Sequence, residues 1–236
     1  MSSLQTTASF SDLAGRRVLV TSAEDFMGPA LTEAFTTAGC QVVADTRPLV
    51  APDAPGRVVA GAAEGGPLDV LVANLGTHNE QAPTTEITDE AWARMFDHMV
   101  HPLMRLVRAA LPAMIERGRG KIVVIGSSSA LRPIRNSTAY ASARGAQLTF
   151  TTNVGIEVAR HNVHVNAIAQ NYIANPMYYP PELVATDRFA SHLSRNVPLN
   201  RLGRPEDTAQ LALFLASSAS DFLAGRVLPL DGGWSA

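Results

Sequence analysis

The chain has 236 residues, enough for one sizeable α/β domain and short for two. Apolar residues make up 46% and charged residues 17%, the formal net charge is −2, and Cys40 is the single cysteine. This balance gives no charge-based reason for a nucleic-acid or membrane partner, excludes an internal disulfide, and fits a reducing cytoplasm.

The opening stretch "MSSLQTTASFSDLAG" lacks the basic and apolar regions of a signal peptide, and residues 1–13 read as a flexible extension of a single domain spanning 1–236. "RVLVTS" then reads as a buried strand, "TSAEDFMG" as its outgoing loop and "GPALTEAFTTAG" as a helix. A second strand, "CQVVAD", leads into 46–67, which is rich in Pro, Gly and Ala and shows little helical pattern. "DVLVAN" is the third strand. A long helix follows over "TDEAWARMFDHMVHPLMRLVRAALPAMIERG", opened by Thr88 and bent or interrupted at Pro112. "KIVVIGS", the helix "TAYASARGAQLTFTTNVGIEVARHN" and the strand "VHVNAIA" come next. Segment 171–200, with "NPMYYPPE" inside it, reads as an ordered, substrate-facing loop. Near-continuous apolar strands alternating with helices predict an α/β fold, a single-domain, doubly wound, Rossmann-like parallel sheet. No apolar run reaches the ~20 residues of a membrane span.

Three residues carry chemistry in this frame. Tyr140 and Arg144 stand at i and i+4 on one helix face, and Ser127 ends the strand "KIVVIGS", where the carboxyl edge of such a sheet meets ligands. A phenol ordinarily titrates near 10, and a guanidinium beside it favours the phenolate by about 3–4 kcal/mol at an intermediate dielectric. Tyr140 can then take a proton from an alcohol whose oxygen Ser127 holds. The bland alternative is a surface helix pair beside a capping serine. The six histidines have no metal-ligand spacing, and no HExxH, CxxC or paired carboxylates occur, so no metal is expected. Trp92 and Trp234 read as packing residues, with Trp234 able to reach a neighbouring subunit.

From about residue 14 onward the chain resembles the short-chain dehydrogenase/reductases. The resemblance rests on "DVLVANLG", on the Ser127–Tyr140 spacing, and on "RLGRPEDTAQLALFLASSASDFLAGRVLPLDGGW". Two departures stand out. Arg144 occupies the place of the family's lysine, and "TSAEDFMG" replaces its TGxxxGxG loop, with Ser22 and Phe26 at glycine positions. A benzyl group at Phe26 fills space that a dinucleotide needs, so no cofactor is expected. Asp45 then reads as a relic or a turn residue, and Met99 stands where the family usually has asparagine.

The combination is similar to that of halohydrin dehalogenases, a cofactor-independent branch. The resemblance implies conversion of a vicinal haloalcohol to an epoxide, a halide ion and a proton. The reverse reaction uses small anionic nucleophiles such as azide, cyanide or nitrite. It also implies that Phe26, Gln170, Asn171, Tyr172, Ile173 and Tyr179 form a halide and substrate pocket. In that pocket, backbone N–H groups of the 170–173 loop would supply an anion-binding concavity. Leu75 stands where some members have a supporting acid, and a homotetramer is expected. Two other readings stay open: a divergent NAD(P)-dependent oxidoreductase, with Arg144 doing the lysine's work, and a non-catalytic ligand sensor on the same fold.

Overall fold

A computed structural model describes residues 10–236. Six parallel strands form one sheet in the order β2-β1-β3-β4-β5-β6. They are β1 (Arg17–Thr21), β2 (Gln41–Asp45), β3 (Val70–Asn74), β4 (Gly120–Ser127), β5 (Val163–Gln170) and β6 (Val227–Leu230). Strand order reverses beside β1, so a crevice opens between the ends of β1 and β3. The chain is a single-domain Rossmann-like α/β fold, as the alternation of elements predicts.

Successive residues of each strand feed opposite layers. Leu19, Leu71 and Ala73 face one core, while Val18, Val20, Val70 and Val72 face the other. The first layer is closed by α2 (Ala54–Ala63), α4 (His101–Arg117) and α5 (Thr138–Val158), and the second by α1 (Gly28–Thr37) and α8 (Pro205–Ala216). Full burial of each Leu or Val contributes about 1.5–3 kcal/mol, so both faces hold the sheet.

Three expectations need correction. Segment 46–67 contains a helix: Ala54, Pro55, Val58, Val59 and Ala62 form a buried stripe on α2. Pro55 sits in the first turn, where a missing N–H costs nothing, so its presence starts the helix. The middle helix divides at Val100 into α3 (Asp89–Met99) and α4, because Pro102 lacks the N–H that would reach the carbonyl of residue 98. Pro112 lies inside α4, on its exposed side, where the freed carbonyl of Arg108 can meet water. Thr88 does cap α3, accepting from the Ala91 N–H at 3.1 Å. Segment 171–200 also folds: α6 (Pro181–Val184) precedes α7 (Asp187–Asn196), whose Phe189 and Leu193 pack with Val197, Tyr172 and Tyr179.

Of the expected N-terminal extension, residues 1–9 lie outside the described residues. Within the rest, Ser11–Leu13 form a 3-10 turn with Leu13 fully buried. Among the described residues, no helix is long and apolar enough to cross a membrane, and no His/Cys/Asp/Glu group could hold a metal ion.

Candidate active site

Ser127, Tyr140 and Arg144 line one cavity of about 440 Å³ at the carboxyl edge of the sheet. Strand β4 delivers Ser127 at its last residue; α5 delivers Tyr140 in its first turn and Arg144 one turn later. All three are buried. Ser127 also caps the 3-10 turn Ser128–Ala130: its Oγ accepts from the Ser129 N–H at 3.2 Å and donates to Ser129 Oγ at 3.0 Å. Capping and facing the cavity are therefore compatible. The Tyr140 ring packs in a small cluster with Met95, Met99 and Ala143, which fixes its approach.

Arg144 sits differently from a simple i,i+4 partner. Its Cζ lies 5.0 Å from the centroid of the Tyr140 ring, over the face. Its Nη1 donates to the Leu75 carbonyl at 2.9 Å, the Ile125 carbonyl at 3.2 Å and Gln147 Oε1 at 2.9 Å. Gln147 in turn donates from Nε2 to the Met99 carbonyl at 2.9 Å. Leu75 and Met99 thus take part in this network through their backbone oxygens. Burial opposes the charge on Arg144, but the phenols of Tyr140 and Tyr178 more than offset it and raise its proton affinity. The guanidinium stays a cation.

The loop after β1 is held by Asn74, whose Nδ2 donates to the carbonyls of Ser22 and Asp25, both at 3.0 Å. Ser22 and Phe26 both adopt left-handed backbone conformations, φ 46° and 53°. The Phe26 ring stands on Gly76 and stacks with Tyr178 at a centroid distance of 6.4 Å. Gly28, the remaining family glycine, lets the loop close: a Cβ there would lie 2.3 Å from the Ser22 carbonyl oxygen. Its N–H is bonded to the Asp25 carbonyl, and Pro29 behind it has none. A dinucleotide's pyrophosphate needs free N–H groups at this helix start and open space above it. Gly28 and Pro29 offer no free N–H, and the Phe26 ring takes up space beside them. Asp45, at the end of β2, is a turn residue: its carboxylate accepts from the Arg47 N–H at 3.1 Å and Nε at 2.6 Å.

Phe26, Gln170, Asn171, Tyr172, Ile173 and Tyr179 line the same cavity. Two of the backbone N–H groups expected to bind an anion are already engaged. Asn171 N–H donates to the Leu230 carbonyl at 3.1 Å, and Tyr172 N–H donates to Asn171 Oδ1 at 2.9 Å. A side-chain donor of the loop, by contrast, has no partner. Asn171 Oδ1 also accepts from the Tyr179 hydroxyl at 3.3 Å, so its amide orientation is set, and buried Nδ2 has no partner. Such an orphaned donor at a cavity wall suits a small anion. Gln170 Oε1 accepts from the Thr208 hydroxyl at 2.8 Å, tying the loop to α8. Burial, reinforced by neighbouring phenols, pushes the Tyr178 and Tyr179 hydroxyls above the usual range, so both remain O–H donors near neutrality.

Several cavity residues escape the motif reading. Tyr178 donates to the Thr77 carbonyl at 2.7 Å while lying over Phe26. Helix α7 contributes His192, whose Nε2 is 2.8 Å from the Tyr172 hydroxyl. Trp234, expected as packing or reaching outward, is buried in its own chain's cavity wall, edge-on to Tyr172 at 5.9 Å. Tyr178 lies in the run of tyrosines and prolines and Trp234 in the C-terminal motif, whereas no pattern in the sequence marks His192.

Fold and site together define the chain's class. Residues 15–235 match the family model described as enoyl-(acyl carrier protein) reductase, and the chain belongs to the short-chain dehydrogenase/reductase family. Cis-4-hydroxycyclohexanecarboxylate dehydrogenase of Sinomonas cyclohexanicum is 34% identical, over 74% of this chain and 69% of its own. Other curated relatives also carry dehydrogenase and reductase names. A solved structure described as a dehalogenation enzyme superposes with a TM-score of 0.88 at 31% identity, covering 94% of this chain and 99% of that one. Halohydrin dehalogenase HheC, bound to ethyl (2S)-oxiran-2-ylacetate, gives 0.85 at 26% identity, covering 92% of this chain and 96% of its own.

Proposed function

We propose that this protein is a halohydrin dehalogenase, closing vicinal haloalcohols to epoxides without a nucleotide. The observation that carries the reading is the Phe26 ring seated on Gly76, in the space where the family's cofactor would lie, beside a buried Ser127/Tyr140/Arg144 set. The likeness to the dehalogenation enzyme and to HheC supports it.

In this reading Ser127 and Tyr140 hold the substrate hydroxyl, and Tyr140 takes its proton as the oxygen attacks the neighbouring carbon. The C–O bond forms as the carbon–halogen bond breaks, and the halide leaves with the bonding pair, opposite the attacking oxygen. Arg144 stabilises the phenolate that does this work. Phe26 and the Asn171 loop receive the halide through Asn171 Nδ2 and positive ring edges, a site weak enough to release it. Azide, cyanide or nitrite would enter the same place in the reverse reaction. Assembly as a homotetramer belongs to this reading, and sedimentation velocity tests it.

The curated relatives favour a second reading, an NAD(P)-dependent oxidoreductase. Two measurements separate them. Bromide release from a simple vicinal bromohydrin with no nucleotide added is expected. Calorimetric titration with NAD(H) and NADP(H) is expected to show no binding at micromolar concentrations, and micromolar affinity would favour the oxidoreductase.

A further inference from the structure

The cavity carries two permanent cations and no acid to balance them. Arg144 lies at its buried end and Arg132 at its exposed rim, and neither Asp nor Glu lines it. Arg132 is placed by the structure that places Ser127. It follows the 3-10 turn capped by Ser127, and its backbone N–H donates to the Ser128 carbonyl at 3.0 Å. Its guanidinium lies over the Trp234 ring, 5.1 Å from the centroid, and Nη1 donates to the Trp234 carbonyl. Trp234 is itself buried against Tyr172. Tyr172, Trp234 and Arg132 thus form one chain of contacts from the anion loop to the cavity mouth.

No carboxylate pairs with Arg132 among the described residues, whereas Arg47, Arg57, Arg94 and Arg119 each meet one. Arg144 is buried and spends Nη1 on Leu75, Ile125 and Gln147, while Arg132 is the exposed cation, at the mouth where a molecule enters. An arginine held over an indole and bonded to its carbonyl has already lost much of its rotamer freedom, so less is lost when it binds. Its planar donor fork matches a carboxylate.

We propose that Arg132 makes the site selective for haloalcohols and epoxides that carry a carboxylate. The substrate oxygen would lie on Ser127 and Tyr140 and the acid at the guanidinium. This substrate class rests on the dehalogenase reading above. A cationic substituent is repelled by both arginines, and a neutral one gains nothing at the rim.

Binding and turnover test it separately. 3-Hydroxybutanoate and 3-hydroxybutanamide have the same skeleton and hydroxyl and cannot lose halide. In halide-free buffer at low salt, calorimetry on the wild-type protein is expected to show about tenfold tighter binding of the acid. That preference should shrink as salt rises. Arg132→Gln should remove it, and Arg132→Lys should restore part of it. Equal binding of acid and amide to the wild type overturns the proposal whether or not the variants fold, as does a preference that survives in Arg132→Gln. For turnover, the acid-to-amide ratio of kcat/KM for 4-bromo-3-hydroxybutanoate and its amide should fall about tenfold in Arg132→Gln. Acid-selective binding with no bromide released from any bromohydrin would retain the Arg132 site and reject the dehalogenase reading.

Discussion

The Phe26 ring and Gly76 fit against each other with no room for one more carbon. A Cβ on Gly76 would lie 2.9 Å from Phe26 Cζ and 3.1 Å from both Cε atoms. Carbon atoms pack comfortably at about 3.5–4.0 Å, so Gly76→Ala must push the ring aside. The expected cost is about 1–3 kcal/mol of stability. Phe26→Leu should recover much of it in the double variant. Unfolding midpoints of the two single variants and the double measure this, and strictly additive effects would show that the two residues do not interact.

Removing the hydroxyl of Tyr140 should eliminate proton transfer while leaving the ring in its cluster with Met95 and Met99. Tyr140→Phe is expected to lower halide release by about 10²–10⁴-fold with an unchanged unfolding midpoint. Ser127→Ala should also slow the reaction, and should destabilise the protein by about 1 kcal/mol because the Ser129 N–H loses its cap. Near-normal turnover in Tyr140→Phe would mean that another group accepts the proton.

Arg144→Met should act on both stability and rate. It leaves the Leu75 and Ile125 carbonyls and Gln147 Oε1 without their shared donor. A loss of about 2–4 kcal/mol is expected. Removing the cation that lies over the Tyr140 ring should also slow bromide release. Arg144→Lys keeps a charge and should be milder. Unchanged bromide release in Arg144→Met would show that the cation takes no part in the reaction.

Cys40 should be a poor nucleophile in the folded protein. Burial pushes its thiol up to about 11, and Sγ donates to the Leu13 carbonyl at 3.3 Å. Iodoacetamide labelling should be slow at pH 8 and accelerate toward pH 11. The folded thiol holds its proton more tightly than the unfolded one. Its contribution to stability is therefore full below pH 9.0 and declines as pH rises to about 11. Cys40→Ser, with a hydroxyl that does not titrate there, should flatten that part of the stability curve, which urea unfolding at pH 8 and pH 10.5 would measure.

Much of this architecture is local, and local order is what a sequence states directly. Near-continuous apolar strands, the Thr88 cap and the serine at the end of β4 need only neighbouring residues, so they are legible without coordinates. Helix α2 is obscured because two glycines and a proline dilute its pattern, and only packing against β1 and α4 makes its short buried stripe decisive. Helix α7 is lost among the turn residues around it. The position of Phe26 in the loop is legible in the sequence, but its ring meets Gly76 only because β1 and β3 lie side by side. Arg144 was visible as the neighbour of Tyr140. Its three oxygen partners come from residues 75, 125 and 147, and no periodicity links those positions. The same holds for Arg132 on Trp234, 102 residues apart in the chain. Residue types and their spacing determined which groups are present. Long-range closure of the sheet decided which hydrogen bonds they have already made, and so which remain available to a ligand.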